Sequence, residues 1–208
     1  MKRAFTIFAI LLAFAFSRGT ASAGDGDFFQ IGVKAGLNFT NMKGLKDFDQ
    51  GGFLKTYTGF NAGVAFRFNL PLGFELQPEL LYVQSGSRMD APGWRSFDYK
   101  VGSLRVPVNV QWGFRFLKII KPYIVFSPYV GYNMFSKLTY TGDAGSVSFK
   151  GTDSVEPFQY GVGLGAGINV WKFQLSFKWN WELSEGFRTI DKETAKFNGG
   201  ELSLAFLF

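Results

Sequence analysis

Hydrophobic and polar residues alternate with a period of two along most of the chain. In the first such segment, Phe29, Ile31 and Val33 alternate with small or polar residues such as Lys34. Successive side chains of a strand point to opposite faces, so this pattern predicts strands with one apolar and one polar face. The pattern recurs in eight segments, at residues 27–40, 57–70, 73–86, 97–116, 121–136, 156–169, 173–184 and 197–208.

These segments are longer than the strands of most soluble proteins. Each exceeds the usual soluble length of about 5–6 residues and is long enough for a tilted strand that crosses a bilayer, about 9–11 residues. The polar face carries charge and glycine, which would make a poor core for a soluble protein. The apolar face carries aromatic residues near the segment ends, as interfacial girdles do: Trp112, Phe114, Phe116, Trp179, Trp181, Phe206 and Phe208.

The connections between the segments alternate in length. They comprise 16, 2, 10, 4, 19, 3 and 12 residues. This alternation is typical of barrels in which one rim faces the periplasm and the other the outside. The sequence therefore predicts an all-β fold, an eight-stranded antiparallel up-and-down transmembrane β-barrel with short periplasmic turns and long outer loops. A soluble periplasmic lipocalin-like binding barrel, whose strands also alternate, is the alternative.

Two kinds of local irregularity are expected within the strands. The apolar phase of the fourth segment changes near Gly102 and Ser103, which predicts a β-bulge there. Pro78, Pro107 and Pro128 cannot donate to a ladder, so they predict further local disruption of the sheet.

The amino terminus has the features of a secretory signal peptide. Lys2 and Arg3 precede an apolar run at residues 4–16, and the small residues at 21–23 fit a signal-peptidase site. The run is shorter than the about 20 residues that a membrane-spanning helix needs. We therefore expect residues 1–23 to be cleaved and residues 24–208 to form the barrel domain in the cell outer membrane.

The composition excludes several kinds of chemistry. The chain has no His and no Cys, so imidazole bases, thiol nucleophiles and thiolate or imidazole metal sites are absent. We expect no catalytic residue, no metal ligand and no cofactor. The formal net charge is +6, but Lys2, Arg3 and Arg18 lie in the expected signal segment. No stretch of the remaining chain clusters basic residues as a nucleic-acid footprint would, so nucleic acid is not expected as a partner.

Nine charged residues fall on the polar faces and would point into the lumen. An eight-stranded barrel is just wide enough for side chains to fill it, so a structural charge network is expected rather than a channel lining. The short turn at residues 70–73 makes Arg67 and Glu75 cross-strand neighbours, and we expect them to form an ion pair. Glu75 and Glu79 would lie about 13 Å apart along one strand, too far for paired-carboxylate catalysis. The nine residues are Lys34, Arg67, Glu75, Glu79, Arg105, Arg115, Lys178, Glu182 and Glu201.

Glycine occupies every second position from residue 161 to residue 167. A strict period of two inside a strand fits no dinucleotide-binding fingerprint. We interpret the row as steric, making room for large inward side chains on the flanking strands, namely Tyr123, Tyr129 and Lys178.

Several stretches resemble the PorT-like outer-membrane β-barrel family. They are residues 104–110, 121–123 with 127–132, the glycine row at 161–167, and 178–181. The resemblance covers most of the chain after the expected signal segment and implies an outer-membrane location. It also implies that the terminal Phe208 is the signal read by the barrel-assembly machinery. The family's namesake has a role in protein secretion.

The preferred hypothesis for function is a small, non-enzymatic outer-membrane barrel. It would be a structural or surface-interaction protein, or an accessory of a secretion or envelope complex, in contact with outer-membrane lipid. A narrow channel for small solutes is the second hypothesis, and a lipid-modifying enzyme or protease ranks last. Any envelope or secretion partner is expected at the outer loops, because loops on a rigid scaffold carry binding: residues 41–56, 137–155 and 185–196.

Overall fold

The described part of the chain folds almost entirely into β-strands. A computed structural model describes residues 28–43, 54–90, 96–114, 119–142, 145–150, 157–184, 187–188 and 194–208. The expected signal segment at 1–23, Arg115 and Phe116 lie outside these ranges. Within them, no helix is both long enough and apolar enough to cross a membrane.

Eight long strands form a closed wall in which each strand is antiparallel to its neighbours. The first pairs with the last as well as with the second, so the sheet closes into a barrel, as the sequence predicts. Two short strands, β6 and β9, extend the pairing of β5 and β10. The strands are β1 (Phe29–Lys43), β2 (Leu54–Asn69), β3 (Phe74–Asp90), β4 (Ser96–Gly113), β5 (Ile120–Gly142), β6 (Gly145–Lys150), β7 (Phe158–Val170), β8 (Phe173–Glu182), β9 (Phe187–Arg188) and β10 (Thr194–Leu207).

The two ends of the barrel differ. At one end, here called the turn end, a 3-10 turn at Pro71–Gly73 joins β2 to β3 and a two-residue turn joins β7 to β8. Both turns hold a non-glycine residue in the left-handed region, Leu72 at φ 62° and Trp171 at φ 54°. The opposite end, here called the loop end, carries the longer connections. Short turns face the periplasm in outer-membrane barrels.

The wall is polar inside and apolar outside. Lys178 and Glu79 inside the barrel are each 2 % exposed, whereas Val33 and Leu204 on the outer surface are each 51 % exposed. This distribution is the inverse of that in a soluble barrel with an apolar core. It suits a barrel whose surroundings are lipid, and the lipocalin-like alternative does not account for it.

Aromatic side chains form two bands on the outer surface. Near the turn end, Phe173 and Phe206 pack with ring centroids 5.1 Å apart, and near the loop end Tyr132 and Phe158 pack at 5.4 Å. From Phe29 in the first band to Phe39 in the second, a tilted strand rises about 25 Å, the height of the apolar zone of an outer-membrane barrel.

The expected bulge occurs at Gly102 and Ser103, but the extra residue is on the neighbouring strand. Gly102 pairs with Phe135 and Ser103 with Asn133, so Met134 of β5 is the inserted residue. Val101 is buried on the same face as Ser103, and β4 therefore keeps its phase. The prediction of the bulge on β4 was wrong, because the apolar Val101 faces the lumen and not the membrane.

The prolines interrupt ladders without shifting their register. In the ladder between β3 and β4, pairing stops after Pro78 and resumes at Leu81, and this gap lies opposite Pro107. In the ladder between β4 and β5, pairing stops after Pro107 and resumes at Val110, and this gap lies opposite Pro128.

The pairing of β2 with β3 also contains a true register shift, between Thr56 and Asn61 of β2. There the hydroxyl of Thr40 on β1 reaches across to β3. Its oxygen donates to Gly86 O at 2.9 Å and accepts from Gly86 N at 3.0 Å, which replaces part of the missing ladder.

Candidate functional site: the barrel lumen

The centre of the lumen holds an ion-pair cluster drawn from four strands. Lys34 Nζ lies 2.8 Å from Glu79 Oε2 and 3.0 Å from Glu201 Oε1, and Lys178 Nζ lies 3.4 Å from the same Glu201 oxygen. All four residues are no more than 5 % exposed. Removing one partner from such a buried group would leave an uncompensated charge, which typically costs about 3–5 kcal/mol.

A second cluster lies towards the turn end around Glu75. Its Oε2 is 3.8 Å from Arg67 Nε, so the expected ion pair is present, but Lys121 Nζ is closer to the carboxylate, at 2.7 Å from Oε1. Arg67 also donates to Gln77 at 3.0 Å and to Asn169 at 3.0 Å. The sequence argument missed Lys121, because this lysine begins its segment next to Pro122 and not within an alternating run.

Side-chain amides join the two clusters across the lumen. Gln77 Nε2 donates to Glu79 Oε1 at 2.7 Å and to Gln174 Oε1 at 2.9 Å, and Gln174 Nε2 donates to Gln111 Oε1 at 3.1 Å. A neutral amide donates through its nitrogen and accepts through its oxygen, so Gln77 binds the cation Arg67 and the anion Glu79 at the same time. The search for charged residues in the sequence did not find these connectors, although they occupy the predicted polar faces.

The lumen towards the loop end is organised around Arg105 and Glu182. Arg105 Nη2 donates to Gln159 at 3.0 Å, and its guanidinium carbon lies 4.3 Å from the centroid of the Tyr129 ring. Glu182 accepts a hydrogen bond from Ser184 at 3.1 Å.

The glycine row accommodates the side chains expected from the sequence. A Cβ atom on Gly161 would collide with the Tyr129 ring, and one on Gly167 with the Tyr123 hydroxyl. One on Gly165 would lie 2.7 Å from the Cα of Lys178. The row therefore lets two tyrosines and a lysine fill the interior.

Two small cavities lie inside the described lumen. One cavity, near Arg105, Tyr129 and Asn180, and another, beside Lys34 and Gln111, each hold about 10 Å³. That volume admits about one water molecule. Among the described residues, no three His, Cys, Asp or Glu side chains are grouped as metal ligands would be. The described interior thus consists of packed polar groups, many of them hydrogen-bonded or ion-paired. A few buried atoms, such as Ser127 Oγ and Asn169 Nδ2, have no hydrogen-bond partner there.

The structure places eight of the nine charged residues inside the barrel, and Arg115 is outside the described residues. Phe208 follows β10 at the turn end, where it is 59 % exposed on the outer surface. Its N–H donates to Ile31 O at 2.7 Å, and its ring packs edge-on against Phe206. The eight lumen residues are Lys34, Arg67, Glu75, Glu79, Arg105, Lys178, Glu182 and Glu201.

Solved structures of small bacterial barrels are similar to this chain at low identity. Ail, the attachment invasion locus protein of Yersinia pestis, has 15% identity and a TM-score of 0.41, covering 86% of this chain and 98% of its own. Neisserial surface protein A has 12% identity and a TM-score of 0.47, covering 88% and 100%. OprG from Pseudomonas aeruginosa has 8% identity and a TM-score of 0.45, covering 86% and 95%.

No curated protein sequence matches the chain. A family model does: the outer membrane protein beta-barrel domain matches residues 17–188, which is most of the sequence. The closed, inside-out barrel agrees with that match. The chain belongs to the outer membrane protein beta-barrel domain family.

Proposed function

We propose that this chain is a small, non-enzymatic outer-membrane barrel that acts through its loop end. It would be a structural or surface-interaction protein, or an accessory of a secretion or envelope complex. The observation that carries this proposal is the filled lumen. In the part of the lumen that the structure describes, the ion-paired core around Lys34 and Glu201 and two cavities of about 10 Å³ each offer neither a wide solute path nor a ligand chamber. A function through contacts of the outer surface is then the one that remains.

The loop end offers that surface. Beyond Tyr132 in the aromatic band, β5 continues for ten more residues to Gly142, and β6 pairs back along it. β3 and β4 accompany them, pairing as far as Asp90 and Ser96. In its described part, the predicted outer loop at 137–155 is therefore a strand hairpin that extends the wall and can support loop contacts.

We also propose the PorT-like branch of the family for this chain. Its motif stretches fall on four consecutive wall strands: residues 104–110 on β4, 127–132 on β5, 161–167 on β7 and 178–181 on β8. With this branch come a cleaved signal at residues 1–23, contact with outer-membrane lipid, and Phe208 as the signal for the barrel-assembly machinery. An accessory role in secretion belongs to the same proposal.

A complementation experiment tests the loop-end role. A deletion strain receives either the wild-type chain or a variant in which residues 139–149 are replaced by a short Gly-Ser turn. Barrier function, measured by antibiotic sensitivity, and protein secretion are compared. We expect the deletion to impair at least one of them and the shortened variant not to restore it.

Two further measurements make the outcome decisive. The shortened variant must reach the outer membrane and keep the gel mobility shift between boiled and unboiled samples, which reports a folded barrel. Full restoration by the shortened variant, or unchanged barrier function and secretion in the deletion strain, would contradict the proposal.

A further inference from the structure

Three lysines stand in a row across three neighbouring strands at the loop end. The register pairs Lys100 of β4 with Lys137 of β5, and Lys137 with Lys150 of β6. Directly paired positions in an antiparallel sheet share one face. On β4 and β5 the adjacent Val101 and Ser136 are buried, whereas Lys137 is exposed. The row therefore lies on the outer face of the wall.

Other basic residues extend this row around the barrel. Arg88 is two residues beyond Gly86, the partner of Lys100, and pairs with Lys55 of β2. Lys43 of β1 pairs with Lys196 of β10. We call this set the basic collar: Lys43, Lys55, Arg88, Lys100, Lys137, Lys150 and Lys196.

The collar carries a large excess of positive charge. Within the described strands, the register places seven basic positions and two acidic ones, Asp90 and Asp98, on the outer face at this level. Like charges directly opposite one another in a ladder repel. Three pairs of directly opposite positions in the collar join lysine to lysine: Lys100 with Lys137, Lys137 with Lys150, and Lys43 with Lys196. A layer of anionic groups against this face would remove the repulsion.

The distance of the collar from the aromatic band indicates which anionic groups lie at its level. Lys100 is four residues beyond Leu104, which pairs with Tyr132 in the loop-end aromatic band, and Lys43 is four residues beyond Phe39 of the same band. Four residues of a tilted strand rise about 10 Å. The aromatic band marks the edge of the hydrocarbon, so the collar lies at the level of the lipid headgroups.

We propose that the basic collar binds the phosphate groups of outer-leaflet lipid headgroups. The collar runs from β10 through β1 and on to β6, whereas a protein partner would contact one side. Lysine suits the task because its long apolar stem can follow the wall while the ammonium reaches outwards. Among the described residues, Lys196 Nζ donates to Leu183 O at 3.4 Å and Lys100 Nζ lies 5.7 Å from the centroid of the Tyr57 ring. An ammonium has three donors, so each can also bind a phosphate oxygen. This inference rests on the proposed contact with outer-membrane lipid, and it does not depend on the proposed role of the loop end.

The test measures thermal stability in nanodiscs, read as the temperature at which the unboiled gel mobility is lost. Neutral phosphatidylcholine discs are compared with discs containing about one tenth of bis-phosphorylated lipid A. We expect the phosphorylated glycolipid to raise the midpoint for the wild type. The variant K100Q/K137Q/K150Q should lose most of that rise, whereas K100R/K137R/K150R should keep it.

Matched controls separate the collar from general charge effects. K172Q removes a lysine at the turn end and should retain the full rise, whereas K137Q, at an exposed site that tolerates glutamine, should lose part of it. An equal rise in the triple glutamine variant would overturn the proposal. So would an equal rise on adding dextran sulfate to neutral discs, since a soluble polyanion would then be the ligand.

Discussion

The ring of Tyr129 on β5 lies over Gly161, its direct partner on β7, in the space where a side chain would otherwise stand. The same ring supports the guanidinium of Arg105 from β4, at 4.3 Å. One missing side chain thus determines where an aromatic ring and a cation can sit. The lumen is filled by large side chains that lie against glycines of the neighbouring strand, as Tyr129 does against Gly161 and Tyr123 against Gly167.

Substituting valine for Gly161 should destabilise the barrel. The added carbons would force Tyr129 from its position, and overpacking of this kind typically costs about 1–3 kcal/mol. Urea unfolding followed by tryptophan fluorescence in detergent measures the change. Gly200→Ala is the control, because its Cβ would lie on the outer surface, 3.2 Å from the Phe177 ring. Equal losses in the two variants would contradict the steric interpretation.

Replacing Lys34 by methionine should cost about 3–5 kcal/mol, because Glu79 and Glu201 would lose their shared cation while staying buried. The double variant Lys34→Met/Glu79→Gln should recover part of the loss, since Glu201 retains Lys178. The free energy of unfolding of the wild type and the variants measures this coupling. No recovery in the double variant would mean that the pair with Glu79 contributes little.

Thr40→Val should lower the free energy of unfolding by about 1–3 kcal/mol, because both polar groups of Gly86 would lose a hydrogen-bond partner at the β2–β3 register shift. Thr58→Val, at an exposed position of β2, is the isosteric control. Amide hydrogen exchange near Gly86 should also become faster in the Thr40 variant alone. Unchanged exchange there would argue against the bridging role.

Purified wild-type protein should give no conductance steps in planar lipid bilayers. Ion pairs and amide bridges cross the centre of the lumen, and two cavities beside them hold about 10 Å³ each, so no continuous water path is expected. A general porin incorporated in the same bilayer provides the positive control. Reproducible steps that disappear in a sample unfolded by boiling would favour the channel hypothesis instead.

Leu72→Asn should stabilise the barrel by about 0.5–1 kcal/mol, because Leu72 has φ 62° and asparagine tolerates the left-handed region better. The side chain is 88 % exposed, so little packing is lost. Leu72→Ala removes the same side chain but keeps the unfavourable backbone. Comparing the two by urea unfolding separates backbone strain from lost contacts, and a gain in the alanine variant would contradict the prediction.

The alternation of the sequence was sufficient to predict the wall. All eight strands and the inward placement of Lys34 or Glu79 follow from the period of two, because lipid outside and charge inside demand opposite side chains. The residues at which the strands end were harder to predict. β5 reaches Gly142, six residues beyond the predicted end at 136, because pairing continues beyond the membrane, where no apolar face is needed.

Contacts between distant strands could not be read from a linear pattern. Lys121 joins Glu75 across 46 positions of sequence, and the lysines at 100, 137 and 150 become neighbours only through the register. A search for basic stretches therefore found no cluster. Knowing strand order and register, which depend on bulges such as that at Met134, is necessary before such groups can be recognised.

The pairing of β1 with β10 joins the beginning of the sheet to its end in the sequence. Until β10 arrives, Leu37 on β1 has no Leu202 beside it, and β1 presents unpaired amides and carbonyls along its whole free side. Such an exposed edge is a template for self-association, and contacts between residues so far apart in sequence form slowly. An incomplete chain therefore keeps this template for self-association open until the last strand is in place.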